Sequence, residues 1–183
     1  MVEIRIHGRG GQGAVYASQM LASAFFLEGK YPQCFSSFGG ERRGMPVVGF
    51  VRVDQSRIRR RCEITSPDHV ICLDASLLNE APVTQGLKAK GCLLINCDEF
   101  PAGLKLGDSC RLYTVDASQI ATRYNLGVLV NTAILGGYAR ISQAVELDTI
   151  IRVIRETVPS NVKANEQAAR AAYQEVNSLN GDI

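Results

Sequence analysis

The sequence predicts an α/β fold of Rossmann-like type: three layers around a mostly parallel sheet, with an antiparallel hairpin at its edge. Three observations predict it. An alternating segment runs into a glycine cluster that opens an amphipathic stretch. Short apolar runs then recur between turn residues. The last third keeps helical spacing. A chain of 183 residues suits one domain, 1–183, and a domain of that size buries roughly 70% of its unfolded surface.

Residues 2–7 alternate apolar and polar and read as the first strand. Residues 13–28 read as a helix whose apolar face carries Val15, Met20, Leu21, Ala24, Phe25 and Leu27, and Gly29 stops it. Residues 32–38 are extended. Gly39, Gly40, Gly44 and Pro46 mark an irregular loop. Residues 47–54 alternate, a turn follows at Gln55-Ser56, and residues 57–62 read as the second arm of a hairpin. The apolar run within 68–74 suits a central parallel strand buried on both faces. Asp74, Ala75 and Ser76 offer caps for a short helix, and 84–90 reads as a further helical turn or two. Residues 92–95 and 112–115 are two more buried strands; 131–141, 147–158 and 161–176 are helices. A right-handed crossover is expected after the first strand.

Composition narrows the function. A formal net charge of +2 and a pI near 8.2 give no reason to invoke nucleic acid. No apolar run is long enough to cross a membrane, and the charged, alternating start is unlike a secretion signal, so a cytoplasmic location is expected. The six cysteines, Cys34, Cys62, Cys72, Cys92, Cys97 and Cys110, form no C-x-x-C pair. They lack the close spacing of cluster or zinc ligands and read as reduced, packed thiols.

The sharpest motif is Gly8-Arg9-Gly10-Gly11-Gln12-Gly13, a G-x-G-x-x-G between a predicted strand and a predicted helix. Glycines permit positive φ, and a helix start offers unpaired N–H groups to an anion. The bland alternative is that they only allow close strand–helix packing. The acidic residue that holds a dinucleotide ribose about 20 residues further on is missing from Gln33-Cys34-Phe35-Ser36-Ser37, which argues against NAD. Arg42 and Arg43, between glycines, suit a phosphate-bearing ligand or an interface. Arg57, Arg59 and Arg61 would share one strand face; they suit an anionic ligand or acidic partner, or a charged edge strand kept from aggregating. His7, His69, Asp68 and Asp74 form no recognisable nucleophile or acid/base pair, so the chain shows no catalytic engine of its own.

Several segments together resemble the gamma subunits of pyruvate and related 2-oxoacid:ferredoxin oxidoreductases. They are the opening through Gly13, the run from Phe35 to Val47 with its Ser37-Phe38-Gly39-Gly40-Glu41-Arg42-Arg43-Gly44, the strand from Asp68 to Asp74, the start Asn131-Thr132-Ala133-Ile134-Leu135-Gly136-Gly137, and Asn165. Tyr16, Cys34, Gly40 and Met45 depart from the commoner residues of that pattern. The resemblance implies a complex that converts a 2-oxoacid and coenzyme A to an acyl-CoA and carbon dioxide. It implies thiamine diphosphate and iron–sulfur clusters on partner subunits (alpha, beta and a ferredoxin-like delta), with ferredoxin as acceptor. It further implies that this chain binds no cofactor tightly, is inactive alone, and contacts coenzyme A through Gly8, Arg9, Gly10, Gly11, Gln12, Gly13, Arg42 and Arg43. Two rival expectations stand beside it: a standalone Rossmann-type oxidoreductase binding NADP or flavin, and a purely structural subunit with no ligand.

Overall fold

The computed structural model describes residues 1–37, 43–104, 106–107 and 109–179. In chain order the elements are β1 (Val2–Arg9), α1 (Ala14–Leu27), β2 (Tyr31–Ser37), β3 (Pro46–Asp54), β4 (His69–Cys72), α2 (Leu77–Glu80), β5 (Cys92–Asn96) and β6 (Arg111–Val115). There follow α3 (Ala117–Arg123), α4 (Asn131–Ser142), α5 (Leu147–Thr157), α6 (Val162–Glu175) and a two-residue β7 (Asn177–Ser178). One mixed sheet has the order β2-β3-β1-β4-β5-β6-β7. Strands β1, β4, β5 and β6 run parallel. Strand β3 is antiparallel to both β1 and β2, and β7 is antiparallel to β6.

The two faces of the sheet are covered differently. On one, Ile4, Ile6, Ile71, Leu73, Leu94 and Tyr113 pack under α1 and the four C-terminal helices. On the other, Val70, Cys72, Leu93, Ile95 and Leu112 are covered by Leu77 of α2, Val83 and neighbouring loop side chains. Strands β4 and β5 are therefore apolar on both faces, as parallel central strands must be. Strand β1 is not: Glu3, Arg5 and His7 are buried on its second face. Partners compensate for the charges of Glu3 and Arg5, while His7 Nε2 and Arg5 Nε have no hydrogen-bond partner among the described residues. Arg52, with no exposed surface, donates from Nε to Glu3 at 2.9 Å and lies 5.3 Å from the Phe35 ring. Arg5 donates to the carbonyls of Val83 at 2.9 Å and Gln85 at 2.6 Å.

Two sequence expectations fail for identifiable reasons. Residues 57–62 form no strand, so the hairpin predicted between them and 47–54 does not exist. Strand β3 pairs instead with β2 along its length, where Phe35 stacks on Phe50 at 4.9 Å. The arginine-rich 57–62 has little apolar surface to bury in such a pairing. Residues 84–90 form separate turns rather than a helix, closed by Gln85 N–H to Pro82 and Leu87 N–H to Thr84. Gly86 sits at φ +74°, and a Cβ there would lie 2.0 Å from the Thr65 carbonyl oxygen, so the chain turns away from a helical path. The sequence reading also misses α3, whose start is capped by Asp116 accepting from Gln119 N–H at 2.7 Å, and the short β7.

Helices α4 and α6 pack closely because α4 carries Gly136 and Gly137. A Cβ at Gly136 would lie 1.9 Å from the Ala169 carbonyl oxygen. At Gly137 the nearest atom of another element, Val115 Cγ1, is 3.4 Å away, an ordinary contact. In an open helix, Gly→Ala gains about 1 kcal/mol. Here the sign should differ between neighbours. Gly136→Ala is expected to lower stability by about 2–3 kcal/mol through overpacking, and Gly137→Ala to change it by less than about 1 kcal/mol in either direction. Urea unfolding of the two variants checks this.

Candidate functional site: a cleft at three helix starts

Strand β1 delivers the chain to a turn that only glycine can make. Gly11 has φ +100° and Gly13 φ +84°. Gly13 N-caps α1 without a side-chain bond. A Cβ on Gly13 would meet the Asn131 amide nitrogen at 2.9 Å, so the missing side chain lets the start of α4 close on the start of α1. Gly8 allows a similar approach within the turn, because its Cβ would lie 3.0 Å from that of Ala14.

Arg9 and Gln12 are both tied into the turn by their own hydrogen bonds, and Arg9 also lines the cleft beside it. Gln12 Oε1 accepts from the Arg9 N–H at 2.8 Å, and Gln12 Nε2 donates to Asp74 Oδ2 at 3.0 Å. Arg9 donates to Asp74 at 3.1 Å, Glu80 at 2.8 Å, Ser76 at 2.6 Å and the Gly44 carbonyl at 3.2 Å. Burial alone would raise the Asp74 carboxyl. The bonds from Ser76 and Gln12 and the Arg9 guanidinium outweigh it and hold Asp74 below its ordinary value. The turn is also tied to the approach of β3: Gly10 N–H donates to the Met45 carbonyl at 2.9 Å, and Gly44 N–H to the Gly10 carbonyl at 3.0 Å. These bonds bring Arg43 over the turn, with Cγ 3.8 Å from where a Gly11 Cβ would stand. Arg43 is exposed and forms no hydrogen bond or ion pair with a described residue. Arg42 lies outside the described residues.

Beside the turn opens a cleft of about 890 Å³. The starts of α1, α4 and α6 all line it, through Ala14, Asn131 and Asn161 among others. None of the three carries a side-chain cap. Their first-turn N–H groups and positive dipole ends therefore face one space. The three starts are fixed to each other. Thr132 donates to Asn165 Oδ1 at 2.8 Å, and Asn165 Nδ2 donates to the Asn161 carbonyl at 3.0 Å. Tyr16, in the first turn of α1, donates to the Thr157 carbonyl at 2.5 Å. Asn131 is 5% exposed, yet its carboxamide has no hydrogen-bond partner among the described residues.

Of the residues singled out in the sequence, Arg9, Gly10, Gly11, Gly13 and Arg43 line this cleft; Tyr16, Asn131, Thr132 and Asn165 line it too and are not singled out there as site residues. A usable signal exists: an asparagine at each of two helix starts. Its ordinary meaning is an N-cap, which neither Asn131 nor Asn161 performs with its side chain.

Among the described residues, the titratable side chains that line the cleft are Arg9, Tyr16 and Arg43. His7 and His69 lie elsewhere, and burial pushes both down to about 4, so each is neutral near pH 7. His69 shares a 2.8 Å hydrogen bond with Tyr138. Burial raises the Cys72 and Cys92 thiols to about 12, which makes them poor nucleophiles. No three His, Cys, Asp or Glu side chains among the described residues are grouped to hold a metal. The topology also removes the dinucleotide geometry. In a dinucleotide-binding sheet β2 lies beside β1 and presents the ribose-binding acid. Here β3 stands between them, setting the end of β2 a further strand, about 5 Å, from the glycine turn.

Comparison with known proteins agrees with this geometry. Residues 3–175 match the family model described as pyruvate ferredoxin/flavodoxin oxidoreductase. The common gamma subunit of the pyruvate/ketoisovalerate oxidoreductases of Pyrococcus furiosus is 45% identical, over 95% of this chain and 96% of the relative. The crystal structure of pyruvate oxidoreductase subunit PORC from Thermotoga maritima superposes with a TM-score of 0.84 at 35% identity, covering 97% of this chain and 98% of that one. A 2-oxoglutarate:ferredoxin oxidoreductase from Magnetococcus marinus, solved with 2-oxoglutarate, coenzyme A and succinyl-CoA bound, shares the fold. Its TM-score is 0.74 at 17% identity, over 94% of this chain and 30% of that one. Matched over 95% or more of its length by gamma-type relatives, the chain belongs to the pyruvate ferredoxin/flavodoxin oxidoreductase family, as a subunit of the gamma type.

Proposed function

We propose that this chain, acting as one domain over 1–183, serves a cytoplasmic 2-oxoacid:ferredoxin oxidoreductase by holding the phosphate end of coenzyme A. The complex would join a 2-oxoacid and coenzyme A into an acyl-CoA, release carbon dioxide and pass electrons to ferredoxin. Thiamine diphosphate and the iron–sulfur clusters would sit on its alpha, beta and ferredoxin-like delta partners, which supply the carbanion and electron chemistry.

One observation carries the coenzyme A reading: three uncapped helix starts face a single cleft beside Arg43, an arginine without a partner among the described residues. Each start favours an anion, and together they suit a ligand with several phosphate charges. The cleft volume falls in the range of about 300–1,000 Å³ that suits small-molecule ligands. In this reading Gly11 and Gly13 keep side chains away from the phosphates, and Arg43 adds a charge-assisted fork from the loop side. Gly8, Arg9, Gly10 and Gln12 shape the turn, the two polar residues through Asp74. Arg42 would add to the charge of the same loop. The bound coenzyme A solved in the Magnetococcus marinus enzyme makes that ligand the natural candidate.

Steady-state kinetics of the assembled complex test the reading. Arg43→Ala should raise the KM for coenzyme A about tenfold, the loss of a charge-assisted bond worth about 1.5 kcal/mol, with kcat and the 2-oxoacid KM unchanged. Asn131→Asp places a carboxylate at a helix start, where the fold tolerates it, but opposite the phosphates. It should weaken coenzyme A binding by more than Arg43→Ala does. Unchanged coenzyme A affinity in both variants contradicts the reading and leaves a purely structural subunit. Asp74→Ala frees Arg9 and Gln12 and should raise the coenzyme A KM severalfold while sparing the KM for the 2-oxoacid.

A further inference from the structure

We infer that Tyr16 and Gln19, on one face of α1, are specificity-determining residues that select an adenine base, so that the cleft recognises the nucleotide half of coenzyme A and not its phosphates alone. This rests on the coenzyme A reading and deepens it.

The apolar wall of the cleft adjoins its anion-binding ends. Leu129 stands two residues before Asn131, Pro159 stands two before Asn161, and both line the cleft. The links that deliver the starts of α4 and α6 therefore also bring apolar surface to them. Tyr16 and Val158 belong to the same lining. No Asp or Glu stands among the described residues that line the cleft, so no lining carboxylate repels a phosphate carried on a ribose.

The chemistry of the ligand decides which half fits such a cleft. Coenzyme A carries a diphosphate on the 5′ oxygen of its ribose and a monophosphate on the 3′ oxygen. Adenine hangs from the same ribose, whereas the pantetheine arm leaves from the far end of the diphosphate. A site that holds both phosphate groups brackets the ribose and keeps the base beside it. The thiol, at the far end of the arm, stays free to extend beyond the cleft.

Tyr16 presents a ring held in place. Its hydroxyl donates to the Thr157 carbonyl at 2.5 Å, which tethers the ring between α1 and the link before α6. A ring already fixed gives up little freedom when a ligand binds, and stacking on it adds affinity for a flat base. Gln19 adds choice between bases. It lies three residues on, on the same face of the helix, and it is exposed and lines the cleft. Its carboxamide makes no hydrogen bond with a described residue. A carboxamide matches one edge of adenine, accepting from the N6 amino group and donating to N7. The same edge of guanine offers two acceptors, O6 and N7, so one of the two bonds is lost. Side chains on a helix lean toward its N-terminus, which directs both residues to the anion-binding start.

Inhibition of the assembled complex tests this, with adenosine 3′,5′-bisphosphate, guanosine 3′,5′-bisphosphate and 4′-phosphopantetheine as probes. The adenosine compound should compete with coenzyme A and not with the 2-oxoacid, and the guanosine compound should bind severalfold more weakly. Tyr16→Ala should weaken the adenosine compound about tenfold, and Tyr16→Phe, which keeps the ring, should restore most of that loss. Gln19→Leu, at an exposed position, should bring the two nucleotides to similar potency. Binding of 4′-phosphopantetheine should respond to none of these changes. Circular dichroism melts confirm that the variants fold. Equal potency of the two nucleotides in the wild type, a Gln19→Leu variant that keeps the preference, or a folded Tyr16→Ala variant with unchanged inhibition overturns the base assignment. So does competition by 4′-phosphopantetheine without competition by either nucleotide. If Arg43→Ala still raises the KM for coenzyme A, the assignment falls alone. If that KM is also unchanged, the coenzyme A reading falls with it.

Discussion

The contact between Gly13 and Asn131 is the constraint on which the site depends. With any side chain at position 13, the Asn131 carboxamide would have to leave its place 2.9 Å from that Cβ position. The start of α4 would then move off the start of α1. Gly136 supports the contact from behind, because it lets α4 lie against the Ala169 backbone of α6. The Thr132–Asn165 bond then fixes the third helix start. Three helix starts with unpaired N–H groups repel one another's positive ends. They stay together because packing of α4 on α6, one turn beyond the cleft, holds them there, and an anion entering between them would relieve the repulsion.

A preorganised site of this kind fits the binding role proposed for this chain. The polar groups named in this reading are backbone N–H donors, the Asn131 carboxamide and the Arg43 guanidinium, which are not proton carriers near neutral pH. The histidines and the two most buried cysteines are kept neutral by burial and lie outside the cleft. Coenzyme A affinity in such a site should follow the charge of the ligand far more than that of the protein. Asp74 contributes at one remove, since its ionised carboxyl orients both Arg9 and Gln12 and so sets the path of the turn.

Much of this is legible in the residues. The glycine turn, α1, the buried β4 and β5, and the helical last third follow from periodicity and capping, where local preference and tertiary need agree. The strand pairing is less legible. Residues 47–54 read correctly as a strand, but sequence proximity suggests 57–62 as its partner. The true partners, β2 and β1, are chosen by cross-strand packing such as Phe35 on Phe50, which a local window does not contain. Gly86 reads as part of a helix, because nothing nearby in sequence announces the Thr65 carbonyl that excludes a side chain there. Asn131 and Asn165 stand out in the sequence as matching a family pattern, not as site residues. Their meaning appears only when helix starts separated by more than 100 residues in the chain are brought to one point.

Amide hydrogen exchange on the assembled complex, with and without coenzyme A, tests the central claim most directly. Coenzyme A is expected to slow exchange in the first turns of α1, α4 and α6 together, at residues 14–16, 131–133 and 162–164, and to leave residues 57–61 unaffected. Slowing elsewhere in the complex, with those three turns unchanged, would contradict it.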